Sequence, residues 1–254
     1  MLAVATGTVL SLWRYPVKSM GGERLGSTRV DAAGIAGDRA HALTREHKGQ
    51  TKPLTAREAP GMLAWRASYP FAPDFWVNPA AVPAATLHGP DGNSLRWGDP
   101  RLRARLEEDL GREVGFSREP DGTLHDLPRT MLVTTEASRA ALEAEIGEPV
   151  DVRRFRPNVH LDLDADAWEE LTWEGGQIAF AAGVRLELLH PCVRCVIPTI
   201  EPGTRRKWPA LLKHLAREHE TCFGINARVT QGGRLEAGEA AAVAAPGRVS
   251  AARF

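Results

Sequence analysis

Only three stretches of this chain carry a helical repeat; every other patterned stretch is short, β-branched and closed off by proline or glycine. The helices can be read from their ends inward. Asp99 suits an N-cap and Pro100 a first turn; Leu102, Leu106 and Leu110 recur every fourth residue, and Gly111 stops the run. A second helix starts at Thr135, carries Glu136 in its first turn, buries Leu142 and Ile146, and ends at Gly147. A third covers residues 208–219, with Leu211, Leu212 and Leu215 on one face. Strands are expected at residues 7–15, 39–44, 159–163, 177–181, 184–189, 196–200 and 226–229. Residues 69–92 are interrupted by Pro70, Pro73, Pro79, Pro83 and Pro90 and read as irregular. No glycine-rich turn joins a strand to a helix as a dinucleotide fold requires. The pattern predicts an α+β, mainly β architecture, barrel-like with capping helices, rather than βαβ repeats.

A length of 254 residues allows one large domain or two smaller ones, and a change of composition near residues 118–123 is the best boundary. Lys+Arg and Asp+Glu both number 32, so the chain lacks the basic excess of a nucleic-acid binder. Any anion site must therefore come from local placement of basic residues. Three cysteines, few and odd in number, argue against a disulfide framework and fit a reducing compartment. No apolar run is long enough to span a bilayer, and the first residues lack the charged region of a signal peptide. The expectation is a cytoplasmic protein with neither membrane nor nucleic-acid partners.

The most unusual segment is HPCVRCVIPTI at 190–200. A cation beside a thiol favours the thiolate, the metal-binding and nucleophilic form, so Arg194 points to Cys195 or Cys192. On an alternating strand the two sulfurs face opposite sides, and only one need line a pocket. Other chemistries fit the same letters. Cysteine is a common small core residue. A Cys-x-x-Cys pair can be half a zinc site, but His214 and His219, five apart on the third helix, would point in different directions. A thioredoxin-like pair needs a helix start where residues 196–200 read as strand. A second cluster is RFRPN at 154–158, where Pro157 restricts its neighbour and presents Arg156 and Asn158 on a stiff, extended stretch suited to a planar or phosphorylated ligand. A third is YPVKSMGG at 15–22, where Lys18 and Ser19 enter a glycine turn with backbone N–H groups free for an anion. Arg39, in Gly37-Asp-Arg39, and Arg57, in Thr55-Ala-Arg57, add further guanidinium groups.

Taken together, YPVKS at 15–19, GDR at 37–39, TAREAP at 55–60, TEAS at 135–138, FRPN at 155–158, and CVRC followed by PTIEP at 192–202 resemble the MOSC superfamily. The arrangement looks most like its branch with an N-terminal β-barrel domain, which includes the mitochondrial amidoxime reducing component and bacterial hydroxylaminopurine-resistance proteins. The resemblance implies a MOSC N-terminal β-barrel domain over residues 1–118 and a MOSC domain over 119–254. It implies a molybdenum cofactor, a molybdopterin whose metal takes Cys195 as ligand and catalytic thiolate, with Cys192 a non-ligating neighbour. Lys18, Ser19 and Arg39 match residues that hold the pterin or its phosphate, and Arg156 and Asn158 match contacts in the second domain. Arg57, Arg129, Thr130 and Thr199 are further cofactor-contact candidates, the middle two from a segment, 125–130, that matches loosely. The implied activity is two-electron removal of oxygen from N-hydroxylated small molecules. No flavin, haem or nicotinamide motif is visible, so an external electron donor, a reductase, ferredoxin or haem protein, is expected. A cofactor carrier without catalysis, or sulfur transfer through a Cys195 persulfide, would use the same residues.

Overall fold

The computed structural model describes residues 4–70 and 82–245. Within them, seven strands close into a barrel. Their order is Val159–Leu163, Met131–Thr135, Cys222–Gln231, Arg185–Val193, Gln177–Phe180, Ala240–Ala244 and Ala5–Arg14, which pairs back onto Val159–Leu163. Neighbours are antiparallel except Met131–Thr135 beside Val159–Leu163, where Val133 lies level with Val159. A tight turn cannot join parallel neighbours. Helix α2 (Glu136–Ile146) makes that crossover, started by the Thr135 side chain accepting from the Ser138 N–H and ended by Gly147 in the left-handed region. Val9, Leu12, Val133, Leu161, Leu186, Ile225 and Val243 fill the barrel and are almost wholly removed from water.

The fold is thus α+β and mainly β. A second core, around Val17, Met20, Leu43, Leu54, Trp65 and Leu87, lies among two three-stranded sheets. One is Gly115–Arg118, His41–His47 and Gln50–Pro53; the other is Arg66–Ser68, Thr86–His88 and Ser94–Arg96. Helix α1 (Pro100–Leu110) seals this core with Leu102 and Leu106, capped as expected by Asp99 and Gly111. A third core packs Leu142 of α2 and Leu211 and Leu215 of α3 (Pro209–Glu218) against Phe155 and Phe223. The chain start is stitched to its end, because Ala5–Arg14 pairs with Ala240–Ala244 and Ser27–Asp31 with Gly233–Glu236.

Two of the expected segments take a different form. The proline-broken stretch is not wholly irregular: residues 71–81, with Pro73 and Pro79, lie outside the described residues, but Thr86–His88 is strand. Residues 196–200 are not a strand. They form the 3-10 turn Ile197–Thr199, because Pro198 lacks an N–H for a ladder and the Thr199 hydroxyl donates to the Val196 carbonyl at 2.7 Å.

The barrel seam depends on Gly7, which sits between Leu163 and Ala241 of the two flanking strands. A Cβ there would fall 2.0 Å from the Asp162 carbonyl oxygen, whereas one at Gly26 meets nothing within 4 Å. Gly7→Ala is expected to cost about 1–3 kcal/mol by overpacking, and Gly26→Ala far less, read from paired denaturant melts.

Candidate functional site

Six segments distant in sequence line one pocket. They contribute Lys18, Ser19 and Arg39 from the first third, Thr130, Arg156 and Asn158 from the middle, and Cys192, Arg194 and Cys195 from the end of strand Arg185–Val193 and the turn after it. Of the ten residues singled out from sequence, seven meet here: Lys18, Ser19, Arg39, Thr130, Arg156, Asn158 and Cys195. Three do not line it. Arg57 stands beside it, half exposed, 3.7 Å from the Asp126 carboxylate. Arg129 turns away to Asp121, donating to its carbonyl at 3.3 Å. Thr199 is buried in closing the 3-10 turn.

The hub of the site is Asp38, a fully covered carboxylate in the turn between strands Gly34–Ile35 and His41–His47. Its Oδ1 accepts the Tyr15 N–H at 2.6 Å; its Oδ2 accepts from Asn158 Nδ2 at 2.9 Å and from the Arg39 guanidinium. Burial works to raise its pKa, but Arg39, His125, the Tyr15 amide and Asn158 outweigh that and hold it below the usual carboxylate range. Asn158 then passes the alignment to the barrel, since its Oδ1 accepts the Leu132 N–H at 3.1 Å. Arg39 reaches back to the Arg156 carbonyl at 3.4 Å.

Arg156 is not on an extended stretch. It caps the 3-10 turn Val152–Phe155 with φ 59°, in the left-handed region, so Pro157 redirects the chain after it. Its guanidinium lies over the Tyr15 ring, 4.2 Å from the centroid, and donates to the Met20 carbonyl. Its Nη2 is buried without a hydrogen-bond partner. Burial, with Arg39 adding to it, pulls its pKa down to about 10, so it stays cationic at neutral pH. Lys18 extends to the Leu124 carbonyl at 2.7 Å and to Asp126 at 2.6 Å. Burial lowers its pKa against the pull of Asp126. Ser19 and Arg39 also have positive φ, 66° and 50°.

Both cysteines line the pocket, against the expectation of opposite faces. The strand stops at Val193, so alternation does not extend to Cys195. Arg194 does not act evenly on the two thiols: its Nη1 donates to Cys192 Sγ at 2.9 Å and its Nη2 to the Phe155 carbonyl at 2.7 Å. Cys195 packs beside Ala56, Leu63, Ile197 and Ile200. Asp38 and Asn226 also build or line the site and went unnamed from sequence, while His125 and Asp126 line it from the 125–130 segment, of which only Arg129 and Thr130 were singled out. Asp38 stood inside a noted motif, but its neighbour drew the attention; Asn226 carries no local signal. A roomier open groove around Arg45, Glu107 and Arg112 contains none of these residues.

A family model described as the MOSC domain matches residues 120–242, and one described as the MOSC N-terminal beta barrel domain matches 6–87. Mitochondrial amidoxime reducing component 2 from Macaca fascicularis is 27% identical over 231 residues, covering 78% of this chain and 68% of that one. Mitochondrial amidoxime-reducing component 1 from Homo sapiens is 24% identical over 238 residues, covering 78% and 67%. The solved YUAD protein from Bacillus subtilis shares the fold, with a TM-score of 0.51 at 16% identity over 97% of this chain and 100% of that one.

Removing the hub carboxylate would strip the largely covered Arg39 of its counter-charge. Asp38→Ala is expected to destabilise the protein by about 3–5 kcal/mol, measured by chemical denaturation, and Asp38→Asn by less, because the amide keeps an acceptor for the Tyr15 N–H.

Proposed function

The chain belongs to the MOSC-domain proteins in which a MOSC N-terminal β-barrel domain precedes the MOSC domain, and on that premise we propose that it is a molybdenum-cofactor-dependent reductase of N-hydroxylated small molecules. The observation that carries this reading is the convergence of Lys18, Arg39, Arg156 and Arg194 with a cysteine on one pocket, in a chain of zero net charge. The donor set suits a phosphorylated, planar, sulfur-rich group: buried guanidinium nitrogens of Arg156 and Arg194 lack partners, and a thiol stands beside them.

In this reading residues 1–118 supply the half that grips phosphate and residues 119–254 the half that bears the thiolate. Lys18, Ser19 and Arg39 would hold the phosphate end, Arg156 and Asn158 the pterin, and Cys195 the metal. Bound there, the cofactor supplies a metal centre that changes by two electrons and accepts the oxygen of an N–O compound. The protein's part is positional and electrostatic. Arg156 is locked between Tyr15 and the Met20 carbonyl, so it presents a fixed cation without reorganisation. Arg194 engages Cys192 and the Phe155 carbonyl, which holds one sulfur in place and leaves Cys195 as the free thiol of the pair. Asp126, two-thirds exposed in its side chain, neutralises Lys18 and must yield it to a phosphate. Electrons come from a separate reductase, ferredoxin or haem protein. Among the described residues no helix is long and apolar enough to cross a membrane.

Protein made in a host that synthesises the cofactor is expected to carry about one molybdenum per chain. Lys18→Gln and Arg156→Lys should each lower pterin content while leaving the melting temperature near the parent's; full cofactor with a lowered melting temperature would make these residues structural only. Cys195→Ser should abolish reduction of N-hydroxylated substrates by a reduced donor, and Cys192→Ser should leave most of it. Equal loss in both would point to a paired-cysteine site, and cofactor retention without turnover in the parent would make the protein a carrier.

A further inference from the structure

Outside the pocket, a second group of side chains converges where α2 ends and α3 gives out. Five residues apart on a continuous helix, His214 and His219 would diverge by roughly 140°. Instead α3 stops at Glu218, and His219 leaves it with φ −135°, so its ring swings back toward that of His214. Both ε nitrogens face the same oxygen of Glu145: His214 Nε2 at 2.6 Å and His219 Nε2 at 2.7 Å from Oε2. The other carboxylate oxygen is held by Trp168, whose Nε1–H donates to Oε1 at 3.1 Å. The Trp168 ring also stacks on His219, centroids 3.5 Å apart and planes 19° from parallel, which fixes the imidazole's orientation. One ligand atom from each of the three residues lies within 4.8 Å of the others. The histidines keep a little exposure and Glu145 more, so a side is open to solvent.

We propose that Glu145, His214 and His219 form a site for one divalent transition-metal ion of the zinc class, a clip between α2 and α3. Two imidazoles and one carboxylate with an open fourth position match a known zinc ligand set, and the hard cation Mg²⁺ disfavours two nitrogen ligands. Metal–ligand bonds of about 2.0 Å in a tetrahedron set the ligands about 3.3 Å apart, against 2.6 and 2.7 Å here, so the carboxylate must retreat from the imidazoles by roughly two-thirds of an ångström, and its exposed edge leaves room for that. Trp168 then serves as the outer partner that orients both the carboxylate and one imidazole. The apolar cluster beneath the clip includes Phe155, Phe223 and Cys192, so the ion would brace the wall behind the cysteine pocket without entering it.

The test is Zn²⁺ titration of chelator-stripped protein by calorimetry, with melting temperature as a second readout. The parent and a Cys192→Ser/Cys195→Ser variant should both bind one Zn²⁺ and melt higher with it, while Mg²⁺ does neither. His214→Ala and His219→Ala should lose the binding. Glu145→Gln, which keeps acceptors for its neighbours and so guards against a folding defect, should weaken it at least tenfold, and Trp168→Phe, which keeps the stack, by about tenfold. Co²⁺ substituted for Zn²⁺ should show no thiolate-to-metal charge-transfer band. Zinc binding that survives in the histidine variants, that vanishes with the cysteines, or that is absent from the parent overturns the proposal.

Discussion

The buried carboxylate of Asp38 holds three parts of the chain that have no sequence reason to meet: the end of the first barrel strand at Tyr15, the turn that carries Arg39, and Asn158 at the entry to Val159–Leu163. Water cannot solvate it, so its charge is tolerable only while all three groups stay in place. The dependence runs both ways. Asn158 spends one oxygen on the Leu132 amide, and that strand is the neighbour of Cys222–Gln231 and, one further on, of the strand that ends at the cysteine pair. The alignment of the pocket's cationic and thiol-bearing halves therefore rests on one ionised group and its hydrogen bonds.

Around that hub the backbone is held in unfavourable conformations. Ser19, Arg39 and Arg156 all have positive φ and all line the pocket. A left-handed non-glycine residue costs of order 1–3 kcal/mol and persists only where its surroundings over-determine it. Here they do: Arg39 is fixed by Asp38 and the Arg156 carbonyl, and Arg156 by the Tyr15 ring and the Met20 carbonyl. The same devices concentrate cations in a chain with none in excess. Burial lowers the proton affinity of Lys18 and of Arg156, with Arg39 beside both adding to it, and an anionic ligand would ease that crowding of positive charge.

The two cysteines show how far a local rule carries. Alternation along a strand is sound while the strand lasts, but Arg185–Val193 ends between them, and both thiols reach the pocket. The histidines of α3 fail in the same way: helical spacing separates them, and the helix ends one residue too soon for that spacing to apply. Arg156 was legible as a candidate that reaches the pocket and illegible as a conformation, because Pro157 argued for an extended backbone while the 3-10 turn before it demanded a cap.

What the sequence by itself determined was whatever depends on neighbours within a turn or two. Asp99 and Gly111, and Thr135 and Gly147, mark their helices through bonds made inside one turn, and the strand Val159–Leu163 stands where β-branched patterning put it. The motif letters were enough to nominate Lys18, Ser19, Arg39, Arg156, Asn158 and Cys195, because cations and thiols announce their chemistry in any context. The tertiary structure alone decided which of them converge. It turned Arg129 outward, buried Thr199, and brought in Asp38, His125 and Asn226. It also ran Ala5–Arg14 into the barrel beside strands more than a hundred residues away. Those outcomes depend on closing the barrel and on finding partners for buried charge, and both are properties of the whole packed chain rather than of any window along it.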